Sequence, residues 1–278
     1  MTKYDDAWVA AEQAKRDFMA ENGLYSHDDE KASCGVGLVV SIDGKSSRAV
    51  VENGIAALKA IWHRGAVDAD GKTGDGAGIH VQIPVAFFYD QVERTGHIPR
   101  KNEMLAVGQI FLPRTNFGAQ EICRTIVESE VLRMGYYIYG WRHVPVNISV
   151  LGDKANATRP EIEQILISNS KGVDEETFER ELYVIRRRIE KAAAAAGVGQ
   201  LYLASLSCRS IIYKGMMLAQ DVAEFYPDLM DERFESAFAI YHQRYSTNTF
   251  PQWWLAQPVR MSARNPSLCH LRSLRRTT

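Results

Sequence analysis

The sequence predicts a large domain of mixed α and β structure. Segments in which apolar and polar residues alternate, typical of strands, interleave with segments of three- and four-residue apolar spacing, typical of helices. The chain has 278 residues, 46% of them hydrophobic, which is enough to bury a sizeable core in one unit. A doubly wound parallel sheet would also fit this alternation, but no Gly-rich fingerprint follows the first strand.

The individual elements follow from these two periods. Near the N-terminus, Trp8, Ala11, Ala14 and Phe18 recur at helical spacing, and Gly23 is a stop signal. Ser46 or Ser47 is the expected cap of the next helix. That helix has its apolar residues at 51, 55, 58 and 62. Further helices are predicted at 85–95, 119–134, 174–196 and 219–225, and strands at 37–42, 79–83, 104–112, 136–146, 161–168 and, around a turn, 201–213.

Composition excludes several functional classes. The net charge of −1 argues against a nucleic-acid or membrane-surface partner. No apolar run approaches the roughly 18 residues of a membrane span, and the charged N-terminus is unlike a signal peptide. The cysteines, at 34, 123, 208 and 269, form no CxxC pair, so neither a metal site nor a disulfide framework is predicted. A reduced, cytoplasmic setting is therefore expected.

Cys34 stands at the head of an apolar run in which Gly35 and Gly37 leave the backbone uncovered. Without Cβ atoms, these glycines allow a ligand or another strand to approach closely. Cys34 is therefore a candidate nucleophile. The alternative is a small core thiol that opens a buried strand, since free cysteine is among the most buried residue types.

Two basic residues are candidates for the wall of a pocket around Cys34. Arg64 follows a predicted helix and precedes Gly65, which is also the pattern of an ordinary helix C-terminus. Arg244 follows an apolar strand and precedes a run of short polar residues that includes Thr247, so it offers a bidentate fork for a carboxylate. An exposed arginine at a strand end is the alternative. The Gly- and Asp-rich loop 68–78 fits neither a phosphate loop nor a calcium loop and is interpreted as a tight turn beside the pocket.

Four motifs in order resemble the glutamine amidotransferase domain of the glutamate synthase large chain. They are Cys-Gly-Val-Gly (34–37), His-Arg-Gly-Ala-Val (63–67), Thr-Gly-Asp-Gly-Ala-Gly-Ile (73–79) and His-Gln-Arg-Tyr-Ser-Thr-Asn-Thr-Phe-Pro (242–251). The resemblance covers residues 34–261. It implies an α+β, N-terminal nucleophile hydrolase-like fold, an αββα four-layer sandwich with two mainly antiparallel sheets.

The resemblance also implies roles for individual residues. Cys34 becomes the nucleophile once a propeptide, residues 1–33, is removed, because the freed α-amine has a pKa of about 8 and can serve as base. Arg244 holds the α-carboxylate of glutamine, Thr247 assists it, and Arg64 lines the pocket. Asn265 provides part of the oxyanion hole.

The implied reaction is hydrolysis of glutamine to glutamate and ammonia. In the full-length family, ammonia aminates 2-oxoglutarate at a distant site that uses FMN and an iron–sulfur cluster, and a small subunit oxidises NADPH. The chain has no cysteine cluster for iron–sulfur ligation, so no cofactor is predicted within it. The predicted partners are glutamine and the remainder of the synthase.

The segment 262–278 departs from the family and is predicted to be an aberrant basic tail. Asn265 keeps the family register, but Pro266 replaces a glycine and has no N–H to donate. Two alternatives to an active glutaminase follow. The chain is either a truncated, catalytically impaired fragment that at most binds glutamine, or a non-enzymatic partner-binding module in which Cys34 is structural.

Because the Pro266 donor is missing, we predict that this chain hydrolyses glutamine poorly. Loss of one oxyanion donor lowers turnover by roughly 10²–10³-fold. Pro266→Gly alone should restore little, whereas replacing residues 262–278 with the family's continuation should restore far more. The measurement is ammonia release by chains of confirmed mass. Efficient release by the unchanged chain would contradict the prediction.

Overall fold

The computed structural model describes residues 6–23, 35–246 and 249–259. Backbone contacts divide the chain into two compact units, Met1–Ser33 and Cys34–Thr278. The first contains helix α1 (Asp6–Asn22), which confirms the helix predicted from apolar spacing. No helix in the described part is long and apolar enough to cross a membrane.

The second unit contains six further helices and eight strands among its described residues. Its helices are α2 (Arg48–Ala60), α3 (Val85–Arg94), α4 (Phe117–Arg133), α5 (Asp153–Ala157), α6 (Glu175–Ala195) and α7 (Val222–Phe225). Its strands are β1 (Gly35–Val40), β2 (Ala77–Gln82), β3 (Leu105–Leu112), β4 (Tyr137–His143), β5 (Glu161–Ser168), β6 (Tyr202–Ser207), β7 (Ser210–Gly215) and β8 (Phe238–Gln243).

The strands form two four-stranded sheets. Sheet A has the order β1-β8-β2-β7 and sheet B the order β4-β5-β3-β6. Every strand pair in the described residues is antiparallel. The α+β class with two mainly antiparallel sheets is therefore confirmed, and the doubly wound parallel alternative is wrong.

Sheet B and two helices form a βαββαβ unit. Helices α4 and α6 connect β3 to β4 and β5 to β6, and the strand order is that of the split βαβ arrangement. Asn116 and Asp174 begin these helices by accepting hydrogen bonds from the backbone N–H groups of Ala119 and Thr177. The helices cover one face of the sheet with a dedicated apolar cluster.

Helix α2 packs on sheet A close to its strands. A Cβ on Gly54 would lie 2.6 Å from the Cβ of Ala239 in β8, so glycine permits this approach. Ser47 stands at the cap position of α2, but its side chain makes no capping hydrogen bond. The apolar run of β1 is only partly buried: Val36 and Leu38 are more than half exposed.

The segment predicted as strand material over 201–213 joins the two sheets. It forms β6 in sheet B and β7 in sheet A, with Cys208 and Arg209 between them. The sequence of this stretch cannot reveal that it divides between two sheets, because both halves are buried and apolar and their pairing partners lie elsewhere in the chain.

A buried polar network also ties the sheets together. Arg142 of β4 binds the Asp228 carboxylate through two nitrogens, at 2.7 and 2.6 Å. Tyr213 of β7 donates to Asp228 at 2.9 Å and accepts from Gln164 of β5 at 2.9 Å. Burial and the nearby Asp228 charge raise the pKa of Tyr213 well above its usual value, so its hydroxyl stays a donor.

Asp228→Ala is expected to lower the free energy of unfolding by about 3–5 kcal/mol, because it leaves the Arg142 charge buried without its partner. Glu52→Ala is the matched control. Glu52 pairs with Arg48 at the surface, where loss of an ion pair costs less than about 1 kcal/mol. Urea unfolding of both variants measures the difference, and equal effects would contradict the network's role.

Candidate functional site

Arg244 is held at the end of β8, the strand between β1 and β2. Its backbone N–H donates to the carbonyl of Gly76 at 2.8 Å, which extends the strand pairing by one residue. Its Nη1 donates to the backbone carbonyl of Asp75 at 3.3 Å, and its Nη2 donates to Oγ1 of Thr249. The side chain is buried. The guanidinium is therefore fixed by two segments of the chain.

Asp75 lies in the loop before β2 and contacts both the Arg244 side chain and the segment that follows it. Its backbone carbonyl accepts from Nη1 of Arg244, and its carboxylate accepts the backbone N–H of Ser246. Burial raises the pKa of the Asp75 carboxyl, and the Ser246 N–H and the Arg244 charge act in the opposite direction. The loop predicted as a tight turn thus lies against Arg244.

Arg64 lies against the beginning of β1. It ends the 3-10 turn Trp62–Arg64 that follows α2, and a Cβ built on Gly35 would lie 3.1 Å from the Cβ of Arg64. Gly35 is also the strand partner of Gln243, the residue before Arg244. Gly35, which follows Cys34 in sequence, therefore lies close to Arg64 and pairs with the residue before Arg244.

Gln243 fills the space between these segments. It is fully buried, and its Nε2 donates to the carbonyl of Arg244 at 3.3 Å. A Cβ on Gly65 would lie 2.0 Å from this Nε2, so glycine at this position leaves room for the Gln243 side chain. The fit explains why Gly65 follows Arg64 here, beyond its role as a helix stop.

A buried lysine holds the segment after the arginine motif. Lys214 of β7 donates through Nζ to the carbonyls of Trp254 at 3.1 Å and Ala256 at 2.7 Å, and to the hydroxyl of Tyr202 at 2.8 Å. Burial lowers the pKa of Lys214. Ala256 in turn lies against Gly76, where a Cβ would approach the Ala256 Cβ to 2.8 Å. The loop at Asp75 is thus enclosed from this side.

Three residues predicted for the site, Cys34, Thr247 and Asn265, lie outside the described residues, as does Pro266. Their roles stay predictions. Arg64 and Arg244 are described, and both lie where β1 begins and β8 ends. Sequence reasoning did not assign Asp75 or Gln243 to the site. The Gly-rich setting of Asp75 indicated a turn, but nothing local indicated its partner Ser246.

A group of possible metal ligands lies elsewhere, on β4 and β5. His143, Glu161 and Glu163 place ligand atoms within 4.8 Å of one another. Arg124 already binds both oxygens of Glu163. Because a guanidinium neutralises this carboxylate, the group is an ion-pair cluster rather than a cation site.

Comparison with known families decides the assignment. Residues 34–275 match the model of the class-II glutamine amidotransferases. The chain belongs to this family. The resemblance inferred from the four motifs is confirmed. Because the members of this family are glutamine amidotransferases, the chain belongs to a family of enzymes.

Individual relatives are glutamate synthases. The chain is 62% identical over 260 residues to the glutamate synthase [NADPH] large chain of Azospirillum brasilense, which covers 94% of the chain and 17% of that relative. It is 40% identical over 255 residues to the large chain of Bacillus subtilis, over 90% of the chain and 16% of the relative. A ferredoxin-dependent glutamate synthase of Spinacia oleracea is 40% identical over 237 residues, 85% of the chain and 15% of the relative. The amidotransferase chain thus spans about a sixth of the length of these relatives.

Gly65→Ala is expected to lower the free energy of unfolding by about 1–3 kcal/mol, because the added Cβ overlaps Gln243. The backbone at Gly65 (φ −107°, ψ 153°) accepts alanine, so the overlap alone decides the effect. Gly199→Ala is the matched control, since a Cβ there meets no atom within 4 Å. Urea unfolding compares the two, and equal stability would contradict the packing of Gln243 on residue 65.

Proposed function

We propose that the chain binds glutamine where β1 begins and β8 ends, and that Cys34 hydrolyses its side-chain amide. One observation carries the proposal. Gly35 pairs with Gln243, so the position next to Cys34 in sequence adjoins the strand end that carries Arg244. A nucleophile next in sequence to one strand and a carboxylate fork at the end of the neighbouring strand would match the two ends of a glutamine molecule.

The substrate is oriented through its α-carboxylate. Arg244 forms charge-assisted hydrogen bonds to both carboxylate oxygens, and Thr247 adds a hydroxyl contact. Arg64 forms the wall beside Gly35. The side-chain amide then extends toward Cys34, and Asn265 stabilises the oxyanion that develops on the amide oxygen.

The reaction is acyl transfer to the thiol. Removal of residues 1–33 frees the α-amine of Cys34, which takes the thiol proton as sulfur attacks the amide carbon. The C–N bond breaks, and the amine passes that proton to the departing nitrogen, which leaves as ammonia. Water then attacks the thioester, releases glutamate and restores the thiol.

In the whole synthase we propose that the ammonia serves amination of 2-oxoglutarate outside this domain, together with an NADPH-oxidising small subunit. The cysteines of the described part do not fit an iron–sulfur cluster, which needs four thiolates. Cys123 lies on the buried face of α4, within the apolar cluster, and Cys208 donates to Glu179.

A binding-only fragment is the second candidate, favoured by Pro266, which lacks a backbone N–H donor. The two candidates share the glutamine site and differ in turnover. Covalent capture of an electrophilic analogue tests the site, and ammonia release tests turnover. Intact mass reports whether residues 1–33 are removed.

The test uses a glutamine analogue with a diazoketone in place of the carboxamide, and mass spectrometry of the labelled chain. Cys34→Ala should abolish labelling, while Cys208→Ala, the matched control, should keep it. Arg244→Ala should raise the half-saturating analogue concentration about 10–100-fold, the value expected for lost charged hydrogen bonds. Arg187→Ala, on the exposed side of α6, is its control. Unchanged labelling of Cys34→Ala or Arg244→Ala would overturn the assignment.

A further inference from the structure

We propose that Asp75 and Thr249 are positioning residues, which hold the Arg244 guanidinium in the orientation that binds the α-carboxylate of glutamine. The proposal rests on the proposed function, in which Arg244 is the carboxylate clamp. It adds two residues that act through Arg244 and do not themselves touch the substrate.

Asp75 contacts both the Arg244 guanidinium and the backbone two residues after it. Its own carbonyl accepts Nη1 of Arg244 at 3.3 Å, and its carboxylate accepts the N–H of Ser246, two residues further along the chain. The Asp75 side chain is almost fully buried. A buried carboxylate that accepts a backbone N–H is a strong anchor, because the bond is charge-assisted.

Thr249 closes the arrangement from the other side. Its Oγ1 accepts Nη2 of Arg244, and its backbone carbonyl accepts the hydroxyl of Ser246. Asp75 therefore holds Ser246, Ser246 holds Thr249, and Thr249 holds Arg244. The contacts form a closed ring through two segments that are far apart in sequence.

The ring matters because carboxylate recognition by arginine depends on the plane of the guanidinium. Two parallel N–H···O bonds form only when that plane faces the carboxylate. A free arginine side chain occupies many rotamers and loses this freedom on binding. Acceptors at Nη1 and at Nη2 fix the plane before glutamine arrives, so their loss should weaken substrate capture and leave the thiol chemistry unchanged.

The experiment measures labelling of the full chain by the diazoketone analogue across a concentration series. The half-saturating concentration reports binding, and the limiting rate reports the thiol reaction. Iodoacetamide, which has no α-carboxylate, gives the intrinsic thiol reactivity of each variant. Thr249→Val removes the acceptor with little change in shape, whereas Thr249→Ser keeps it.

Thr249→Val is expected to raise the half-saturating concentration about 3–10-fold, the value of one hydrogen bond, with the limiting rate and the iodoacetamide rate unchanged. Thr249→Ser should restore the original value. Thr95→Val is the matched control and should change nothing, because Thr95 bonds to the carbonyl of Val92 at the end of α3.

Asp75 is tested by a pair of variants. Asp75→Ala removes the acceptor for Ser246 and should raise the half-saturating concentration more than Thr249→Val does. Asp75→Asn keeps a carbonyl acceptor and should recover part of the loss. If Asp75→Ala does not fold, Thr249→Val, at an exposed position, carries the test.

The decisive comparison is made in the Arg244→Ala background. A residue that acts through Arg244 has no further effect once Arg244 is gone, so Thr249→Val should then add nothing. An equal loss from Thr249→Val with and without Arg244 would overturn the inference, as would unchanged saturation in Thr249→Val. Failure of the unmodified chain to label saturably would overturn the proposed function and, with it, the inference.

Discussion

The central position of β8 in sheet A is the constraint on which the site depends. Its register sets Gln243 opposite Gly35 on one side and opposite Ala77 on the other. Because side chains alternate along a strand, a slip of one residue would turn Gln243 to the other face and carry Arg244 away from Asp75. Three segments that are distant in sequence meet at one strand end for this reason.

Close backbone approach is the second constraint, and it explains the glycines of the motifs. Gly65 makes room for the buried side chain of Gln243, and Gly76, with a φ of 128°, lies against Ala256. Lys214 then fastens the segment at Ala256 to β7 through its ammonium group. The loop before β2 is thus packed between the end of β8 and the chain that follows the arginine motif, and the contacts of Asp75 depend on that packing.

Local sequence patterns predicted most of the helices and strands, but they could not predict which distant strands pair. The helix predicted at 174–196 is observed as Glu175–Ala195, because the capping Asp174 and the apolar spacing are both local signals. The strand predicted at 37–42 is displaced to Gly35–Val40, since an apolar run with glycines has no sharp end. The sheet order, the βαββαβ unit and the bond from Asp75 to Ser246 join distant segments, which periodicity cannot indicate. The local pattern made Arg244 a candidate, with an exposed strand-end arginine as the alternative, and the family resemblance decided between them.

The most direct test of the account is a crystal structure of the chain with L-glutamate, the proposed product, which carries the same α-carboxylate as glutamine. The account predicts that this carboxylate lies within hydrogen-bonding distance of the Arg244 guanidinium, beside Gly35 and Arg64, with the contacts of Asp75 to Ser246 and of Thr249 to Arg244 retained. A glutamate carboxylate bound away from Arg244 would contradict it.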